Sequence, residues 1–291
     1  MAITAPGLTL AIPAMFGLIK PQVDALRKLG AVDFAASADG IMPVKPGSTV
    51  KVPISDVSAA AEYDYDDNNY LTGGETSWAS LTCTHFLKGY DISGENVDQG
   101  VSQAGIENKF SRRAGAGIAM SMQGAVKTAL DGATTSTGVT VPAIGTATLT
   151  NYMNIASDIT WLNKSTSVLA LNGAALADIK AKFAAAHVVG TDEQLAQFCG
   201  FRDFVLVPGM TARFAVVPDT AIGFLARVPA IVADYPQAGA EVDEDTGLAV
   251  GIVLANDQAH NRKVLSADLW FGAKVLSANA AATQAGVIKI A

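Results

Sequence analysis

Residues 101–130 have the sequence VSQAGIENKFSRRAGAGIAMSMQGAVKTAL, and this uninterrupted stretch decides the fold. It contains no proline, and apolar side chains recur at every fourth position, which predicts one long helix with a single apolar stripe. Thirty residues at ~1.5 Å each make a rod of roughly 45 Å. The Asp131-Gly132 pair that follows predicts a left-handed helix end. The residues of the stripe are Ile106, Phe110, Ala114, Ile118, Met122 and Val126.

A rod of this length admits two interpretations. It is either the buried core helix of an ordinary domain or a spine that lies under a flat, plate-like subunit, and its length favours the second. Gly115, Gly117 and Gly124 each cost roughly 1 kcal/mol against alanine in a helix. Their presence therefore predicts that other backbone packs closely against this helix.

The composition of the whole chain predicts a folded protein that is not a dedicated nucleic-acid binder. Its 291 residues suffice for one large domain or two smaller ones, with 50% apolar and only 16% charged residues. The net charge is −7 and the pI is about 4.9. Because nucleic-acid binders present a basic face, we expect any contact with DNA to be weak and nonspecific.

Two charge-free segments are poor candidates for membrane insertion. Residues 132–157 contain too much threonine, serine and glycine to span a bilayer. Residues 1–19 lack the basic start of a secretory signal. We expect them to form an extended N-terminal arm covered by a neighbouring molecule, with a poor signal peptide as the alternative. The two cysteines, Cys83 and Cys199, predict buried free thiols in a reducing cytoplasm.

Two alternating segments predict a pair of strands joined by a long insertion. Residues 49–54 alternate apolar and polar side chains and include Pro53, which predicts an edge strand. Residues 79–87 alternate in the same way and predict a second strand. The segment between them, residues 55–77, is too long for a hairpin turn. We therefore predict an extended flap.

The flap insertion carries uncompensated negative charge. It holds six carboxylates and no lysine or arginine, and the aromatic residues among them are typical of a contact surface. We expect the flap of one subunit to dock on the start of the long helix of the next, with a flexible acidic loop as the alternative. The predicted contact residues are Asp64, Asp66, Asp67, Tyr70 and Trp78 on the flap and Lys109, Arg112 and Arg113 on the helix.

The rest of the chain alternates between short helices and short strands. Hydrophobic periodicity predicts helices over residues 21–30, 151–162 and 173–186, and a capping box at Thr191–Gln194 predicts the start of another. Residues 241–254 predict a hairpin, and the tail from Ala278 is expected to pair back into a sheet. The predicted strands are 168–171, 204–207, 213–217, 222–228 and, most clearly, 265–275.

The sequence offers little catalytic chemistry. His85, His187 and His260 stand apart, so no pair has the spacing of a metal site on a helix. There is no nucleophile elbow, no Walker A loop and no dinucleotide fingerprint. We therefore predict no catalytic residues and no cofactor, and an enzyme with an unrecognised site is only a third alternative.

One pattern in the flap matches a calcium loop. The ligand positions are occupied by oxygen-bearing residues, as a hard cation requires, but the sixth position is Asn69 instead of glycine. The flanking segments also do not predict two helices. This site keeps a calcium-binding surface or extracellular module as the alternative function. Its ligands would be Asp64, Asp66, Asn68, Tyr70, Thr72 and Glu75.

The order of these parts resembles the major capsid protein of tailed bacteriophages, the Hong Kong 97 type fold. The resemblance covers nearly the whole chain and lies in its layout and in several stretches. These are TSW at 76–78, GYDI at 89–92, SVLALN at 167–172, LWFGAKVL at 269–276 and NAA at 279–281.

The resemblance implies an α+β fold with an N-terminal arm, an extended flap loop, a long spine helix, and peripheral and axial subdomains. The implied division is 1–47 for the arm and a short helix, 48–90 for the extended loop, 91–148 with 236–291 for the peripheral subdomain, and 149–235 for the axial subdomain. The implied function is structural. Copies of the chain would form hexamers and pentamers that close into an icosahedral shell around packaged phage DNA, in a virion assembled in the host cytoplasm.

Two departures from the family pattern matter. Residues 52–87 contain no lysine, so we expect no isopeptide bond from the flap of the kind that some relatives form. The chain also starts at the arm without a helical scaffolding region, so scaffolding is expected to be a separate protein or a removed segment. Portal and decoration proteins are further expected partners.

Overall fold

In its described residues, a computed structural model of the chain contains five helices and three β-sheets. The structure describes residues 8–33, 49–54, 77–82, 84–92, 103–136, 138–159, 166–219, 221–227, 238–242, 249–257, 262–276 and 287–290. The helices in these ranges are α1 (Leu8–Lys28), α2 (Gln103–Asp131), α3 (Leu149–Ser157), α4 (Gly173–Ala185) and α5 (Asp192–Phe198).

The strands of the described ranges follow the chain order. They are β1 (Val32–Asp33), β2 (Thr49–Ile54), β3 (Ser77–Thr82), β4 (Thr84–Ile92), β5 (Val168–Leu171), β6 (Phe204–Leu206), β7 (Phe214–Val217), β8 (Ile222–Arg227), β9 (Ala238–Val242), β10 (Ala249–Asp257), β11 (Arg262–Val275) and β12 (Ile288–Ile290).

The predicted spine is the single helix α2, and its apolar stripe is buried. The stripe side chains from Ala114 onward are at most 8% exposed. They share one core cluster with residues of α1 and of both larger sheets. The side chains of Ile106 and Phe110 lie outside the described part of the structure. The buried stripe consists of Ala114, Ile118, Met122, Val126 and Leu130.

The end of α2 differs from the predicted left-handed cap. Gly132 does not have a positive φ, and its amide donates to Thr128 O at 3.0 Å as in a continuing helix. The Lys289 ammonium instead donates to Asp131 O at 2.7 Å. A cation brought from elsewhere in the chain thus satisfies the last turn, so the left-handed turn that usually does this is not needed.

The expectation of an extended arm is wrong for residues 8–20, which belong to α1. Pro13 and Pro21 lie inside this helix, although proline removes a helical hydrogen bond. Ile19, Val23 and Leu26 are each at most 1% exposed and lie in the cluster that surrounds α2. Packing of this continuous stripe against the spine therefore outweighs the two prolines. Residues 1–7 lie outside the described residues.

A Schellman motif closes α1. The amide of Ala31 donates to Leu26 O at 3.1 Å, and the amide of Gly30 donates to Arg27 O at 2.9 Å. Gly30 has a φ of +69°, and a Cβ at this position would lie 2.4 Å from the Asp219 carboxylate. Gly30 is therefore required for two reasons: its backbone conformation is left-handed, and Asp219 approaches it closely.

Within the described part of the chain, the larger sheet has six strands, and β11 pairs with three of the others. Its order is β1-β8-β11-β10-β9, and β4 also pairs with β11. The predicted final strand 265–275 is confirmed and extends back to Arg262. The predicted hairpin is confirmed by antiparallel pairing of β9 with β10, and its turn at 243–248 lies outside the described residues.

The predicted second flap strand, 79–87, is divided between two sheets. β3 pairs antiparallel with β2 and forms the base of the flap, whereas β4 pairs antiparallel with β11. An alternating pattern specifies which face of a strand is apolar but does not specify its partner. Residues 84–87 of the predicted strand therefore join the larger sheet, because β4 pairs with nine residues of β11.

The four-stranded sheet has the order β12-β7-β5-β6 and is called the smaller sheet below, since it is the smaller of the two sheets with more than two strands. It lies between two hydrophobic cores. One face joins the cluster of α1 and α2, and the other packs against α3, α4 and α5. The predicted helix 173–186 and the capping box at Thr191 are confirmed, while the predicted helix 151–162 is shifted to Leu149–Ser157. The expected return of the tail is also confirmed, because β12 pairs antiparallel with β7.

We predict that Gly30→Ala destabilises the protein by about 1–2 kcal/mol or more, because an L-residue at this φ is strained and the added Cβ meets Asp219. Urea unfolding followed by circular dichroism measures this change. The control is Gly17→Ala inside α1, where the added Cβ meets nothing within 4 Å. That variant should gain about 0.5–1 kcal/mol. Equal effects of the two variants would contradict the role assigned to Gly30.

Candidate functional site

The predicted contact residues of the spine lie on α2. Arg112 and Arg113 are both exposed on the first half of this helix, and Lys109 belongs to the same helix one turn earlier. On the flap, Trp78 lies in β3 opposite Pro53 of β2. Asp64, Asp66, Asp67 and Tyr70 lie outside the described residues, so their contact with the spine stays a prediction.

The outer face of α2 combines positive charge with apolar surface. Arg113, Ala116 and Met120 are exposed at helical spacing, and the Met120 side chain is 71% exposed. The opposite face of the same helix is the buried stripe. This placement leaves a cationic and apolar strip on a rigid element, which is the type of surface that an acidic, aromatic segment would complement.

A network around Asp131 joins the end of α2 to the turn between β6 and β7. One carboxylate oxygen, Oδ1, accepts from the amides of Thr211 at 2.8 Å and Ala212 at 3.2 Å. The other, Oδ2, accepts from Lys127 Nζ at 2.7 Å and from the Thr211 hydroxyl at 3.1 Å. Four donors from two elements thus converge on one side chain, which ties the spine to the smaller sheet.

These bonds set the ionisation of Asp131. Partial burial alone would raise the pKa of its carboxyl, because burial disfavours the charged form. The bonds from Lys127, Ala212 and Thr211 oppose burial and hold the pKa below its ordinary value. Asp131 is therefore a charged acceptor, and charge-assisted hydrogen bonds are stronger than neutral ones.

A second network joins the end of α1 to the residues before β6. Arg202 Nη2 donates to Lys28 O at 2.5 Å, and its amide donates to Ser167 O at 2.8 Å. Lys28 Nζ lies 3.6 Å from Asp203 Oδ2. In both networks, a cation from the smaller sheet region reaches a carbonyl in the last turn of a helix, where the helix dipole is negative.

The body formed by the smaller sheet and α3–α5 has its own internal bonds. Tyr152 of α3 donates through its hydroxyl to Asp178 of α4, and burial together with this bond raises the pKa of Tyr152. Arg213 donates to Val141 O at 2.8 Å and to Pro142 O at 2.5 Å. Cys199 is a buried free thiol, as predicted, and burial raises its pKa to about 12. Cys83 lies outside the described residues.

The described residues offer no metal centre and no helix long and apolar enough to cross a membrane. The predicted calcium ligands Asp64, Asp66, Asn68, Tyr70, Thr72 and Glu75 lie outside the described residues. A groove between α2 and β11 has Lys274 among its lining residues and, within the described part of the chain, neither histidine, cysteine nor carboxylate. Its lining therefore supplies no acid–base pair.

Sequence reasoning missed the Asp131 network because its partners are distant in the chain. A local signal was nevertheless present. A carboxylate in the last turn of a helix opposes the helix dipole, and this last turn contains no basic residue. Such a local conflict indicates that the residue makes a compensating contact elsewhere.

We predict that Asp131→Asn lowers stability at neutral pH, because asparagine cannot accept at both side-chain oxygen positions. The pKa of Asp131 is depressed on folding, so its contribution is fully present above the unfolded value of 3.8 and is lost as the pH falls through the lower folded value. The difference in unfolding free energy between the parent and the variant should therefore shrink as the pH falls below 3.8 and through the lower folded value. Urea titrations across this range measure it, and a difference independent of pH would contradict the assignment.

Comparisons with known proteins identify the fold through structure and not through sequence. No protein-family model matches the chain, and no curated protein is significantly similar to it in sequence. The structure is similar to the capsid of Ralstonia phage GP4, with a TM-score of 0.54 and 10% identity over 84% of this chain and 83% of that chain. It is also similar to the capsid of the empty GTA particle, with a TM-score of 0.56 and 9% identity over 92% and 89% of the two chains.

The native GTA particle gives nearly the same result, with a TM-score of 0.54 and 10% identity over 92% of this chain and 89% of that chain. Each of these similarities covers at least 84% of this chain. The chain therefore has the capsid fold of the Hong Kong 97 type, as its sequence resemblance implies.

Proposed function

We propose that the chain is a major capsid protein, a structural subunit of a bacteriophage virion. Copies of it associate as hexamers and pentamers and close into an icosahedral shell around packaged DNA. The observation that carries this proposal is the capsid fold, which extends over most of the chain. A fold alone does not specify a function, so the composition and the surface have to agree with it.

The charge of the chain agrees with a container for DNA and not with a DNA-binding protein. The net charge of −7 limits adhesion to the genome. Contact with packaged DNA is then weak and nonspecific. We infer no catalytic role and no cofactor, and we place assembly in the host cytoplasm. A scaffolding protein, a portal and decoration proteins are proposed as further partners.

The proposed contact between subunits is electrostatic. Asp64, Asp66 and Asp67 of one flap approach Lys109, Arg112 and Arg113 on the spine of the next subunit, and Tyr70 and Trp78 add aromatic contact area. The exposure of Arg112, Arg113 and Met120 on one side of α2 supports this proposal, since these side chains are accessible to a neighbour. Closed assemblies reuse one such surface in every copy.

Electron microscopy of the purified full-length protein, with light scattering, tests the proposed function. We expect round shells, rings of five or six subunits, or tubes, because a capsid subunit buries its flap only against other copies. A monodisperse monomer whose melting temperature rises with calcium, and falls again with a chelator, would contradict the proposal. That result would favour a calcium-binding module built on the loop from Asp64 to Glu75.

We predict that the double variant Arg112→Glu with Arg113→Glu assembles with lower yield and dissociates at lower salt, because it turns the predicted attraction into repulsion. Sedimentation of assembled particles across a salt series measures this change. The single variant Arg112→Glu should show a smaller loss of the same kind. Its control is Lys180→Glu, an equal charge change at an exposed position of α4 that also breaks the ion pair of Lys180 with Asp192.

Charge exchange provides the stricter form of this experiment. Adding Asp64→Lys and Asp66→Lys to the double arginine variant should restore part of the yield, because the two charged surfaces are then complementary again. Unchanged assembly of the double variant, or no recovery after the exchange, would overturn the proposed contact.

A further inference from the structure

An open groove runs between the second half of α2 and the end of β11, and its volume is about 680 Å³. The β11 wall of the groove is formed by residues 271–275. Among the described residues that line the groove, only Lys274 is charged. The α2 wall consists of small residues at helical spacing, which include Ser121, Gly124, Ala125, Thr128, Ala129 and Gly132.

Gly124 on the helix wall faces empty space. A Cβ at this position would meet no atom within 4 Å. Glycine is less favourable than alanine inside a helix, but it permits another backbone to approach closely. The sequence predicts such an approach at this glycine, and the described part of the chain does not supply it. The groove at Gly124 therefore has room for a backbone segment that lies outside the described residues.

The hydroxyl groups of the helix wall are already bonded to the helix itself. Ser121 Oγ donates to Gly117 O at 3.0 Å, and Thr128 Oγ1 donates to Gly124 O at 2.8 Å. The wall thus presents mainly methyl, methylene and backbone surface. A charged group placed against it would lose water without gaining a partner there. The wall therefore favours an occupant with small, uncharged side chains.

One segment of the chain has both of its ends fixed beside this groove. The β11 wall ends at Val275, and Leu276 follows it directly. At the other end, the amide of Lys289 donates to Thr134 O at 2.9 Å, just beyond the last residues of the α2 wall. Residues 277–286, which lie outside the described residues, therefore join the end of one wall to the end of the other.

We propose that residues 277–286 occupy this groove, with their backbone against Gly124. The segment has the sequence SANAAATQAG, which is uncharged and rich in alanine like the helix wall. Ten residues reach at most ~33–36 Å when extended. The helix wall from Ser121 to Ala133 is about 18 Å long at the rise of an α-helix. The segment is thus long enough to follow the whole wall.

This placement gives the connection between the two larger sheets a defined path. β11 belongs to the larger sheet and β12 to the smaller one, and residues 277–286 connect them. In the groove, the connecting segment packs on the spine and covers Thr128 and Gly132, which are exposed without it. Every contact in this arrangement lies within one chain. The proposal is therefore independent of the proposed capsid function and of assembly.

Substitution of Gly124 distinguishes a filled groove from an empty one. In an empty groove, Gly124→Leu would raise the urea midpoint, because it improves helix propensity and buries apolar surface. In a filled groove, the new side chain displaces residues 277–286. We then expect a lower midpoint and amide hydrogen exchange in this segment faster by about tenfold. The control is Ala116→Leu at an exposed position of α2, which should leave both readouts unchanged.

Gly124→Ala keeps this experiment valid if the leucine variant does not fold. It should lack the rise in midpoint that Gly17→Ala shows, because its Cβ occupies space that the segment needs. A midpoint raised by Gly124→Leu, or raised equally by Gly124→Ala and Gly17→Ala, would overturn the proposal.

Disulfide formation identifies the occupant directly. Thr128→Cys on the helix wall is combined in turn with one cysteine in the segment. Because a disulfide requires Cα atoms about 4.4–6.8 Å apart, mild oxidation should link the two positions within one chain in at least one combination. Mass spectrometry of the linked peptides measures this product. The segment variants are Asn279→Cys, Ala281→Cys and Thr283→Cys.

The crosslinking experiment uses the full, unassembled chain with Cys83→Ala, and Cys199 remains because it is buried. The control Met120→Cys, where the native side chain is 71% exposed on the outer face of α2, should form no disulfide with the same positions. No disulfide within one chain in any combination would overturn the proposal. A disulfide that forms only between two chains would also overturn it, because the segment of a second copy would then fill the groove.

Discussion

Burial of one stripe of the spine helix is the contact on which the rest of the structure depends. Ala114, Ile118, Met122, Val126 and Leu130 lie in a cluster that also contains residues of α1, β11 and the smaller sheet. Removing this stripe would remove the centre of the core that both larger sheets share with α1. The long helix therefore provides the apolar surface against which residues of both larger sheets pack.

The C-terminal carbonyls of α1 and α2 accept hydrogen bonds from side chains that lie elsewhere in the chain. Arg202 donates to the carbonyl of Lys28, and Lys289 donates to the carbonyl of Asp131. Helix C-termini carry unpaired carbonyls and partial negative charge, so a cation placed there satisfies both at once. In this fold the cations come from the region of the smaller sheet, and the same bonds that finish the helices also attach that region.

Local patterns predicted most elements, whereas their partners and ends depended on distant residues. The alternation of Leu265–Val275 and the period of the spine each recur within one segment, so both were predictable. The extension of α1 through Pro13 was not, because it depends on packing against α2. Asp131 bonds to Thr211, which is 80 positions away in the chain, and to Lys289, which is 158 positions away. Periodicity carries no information over such separations. The predicted flap contact lies between subunits, where a single chain shows only one of the two surfaces.

The return of β12 to the smaller sheet has a consequence for the order of folding. Ile288 pairs with Val216, and Lys289 reaches Asp131. A chain emerging from the ribosome can form α2 and three strands of this sheet early, but the fourth strand and the lysine arrive only when residue 290 is free. These are contacts of high sequence separation, which form late because loop closure must come first. A partly synthesised chain that lacks residues 288–290 therefore presents an incomplete edge at β7.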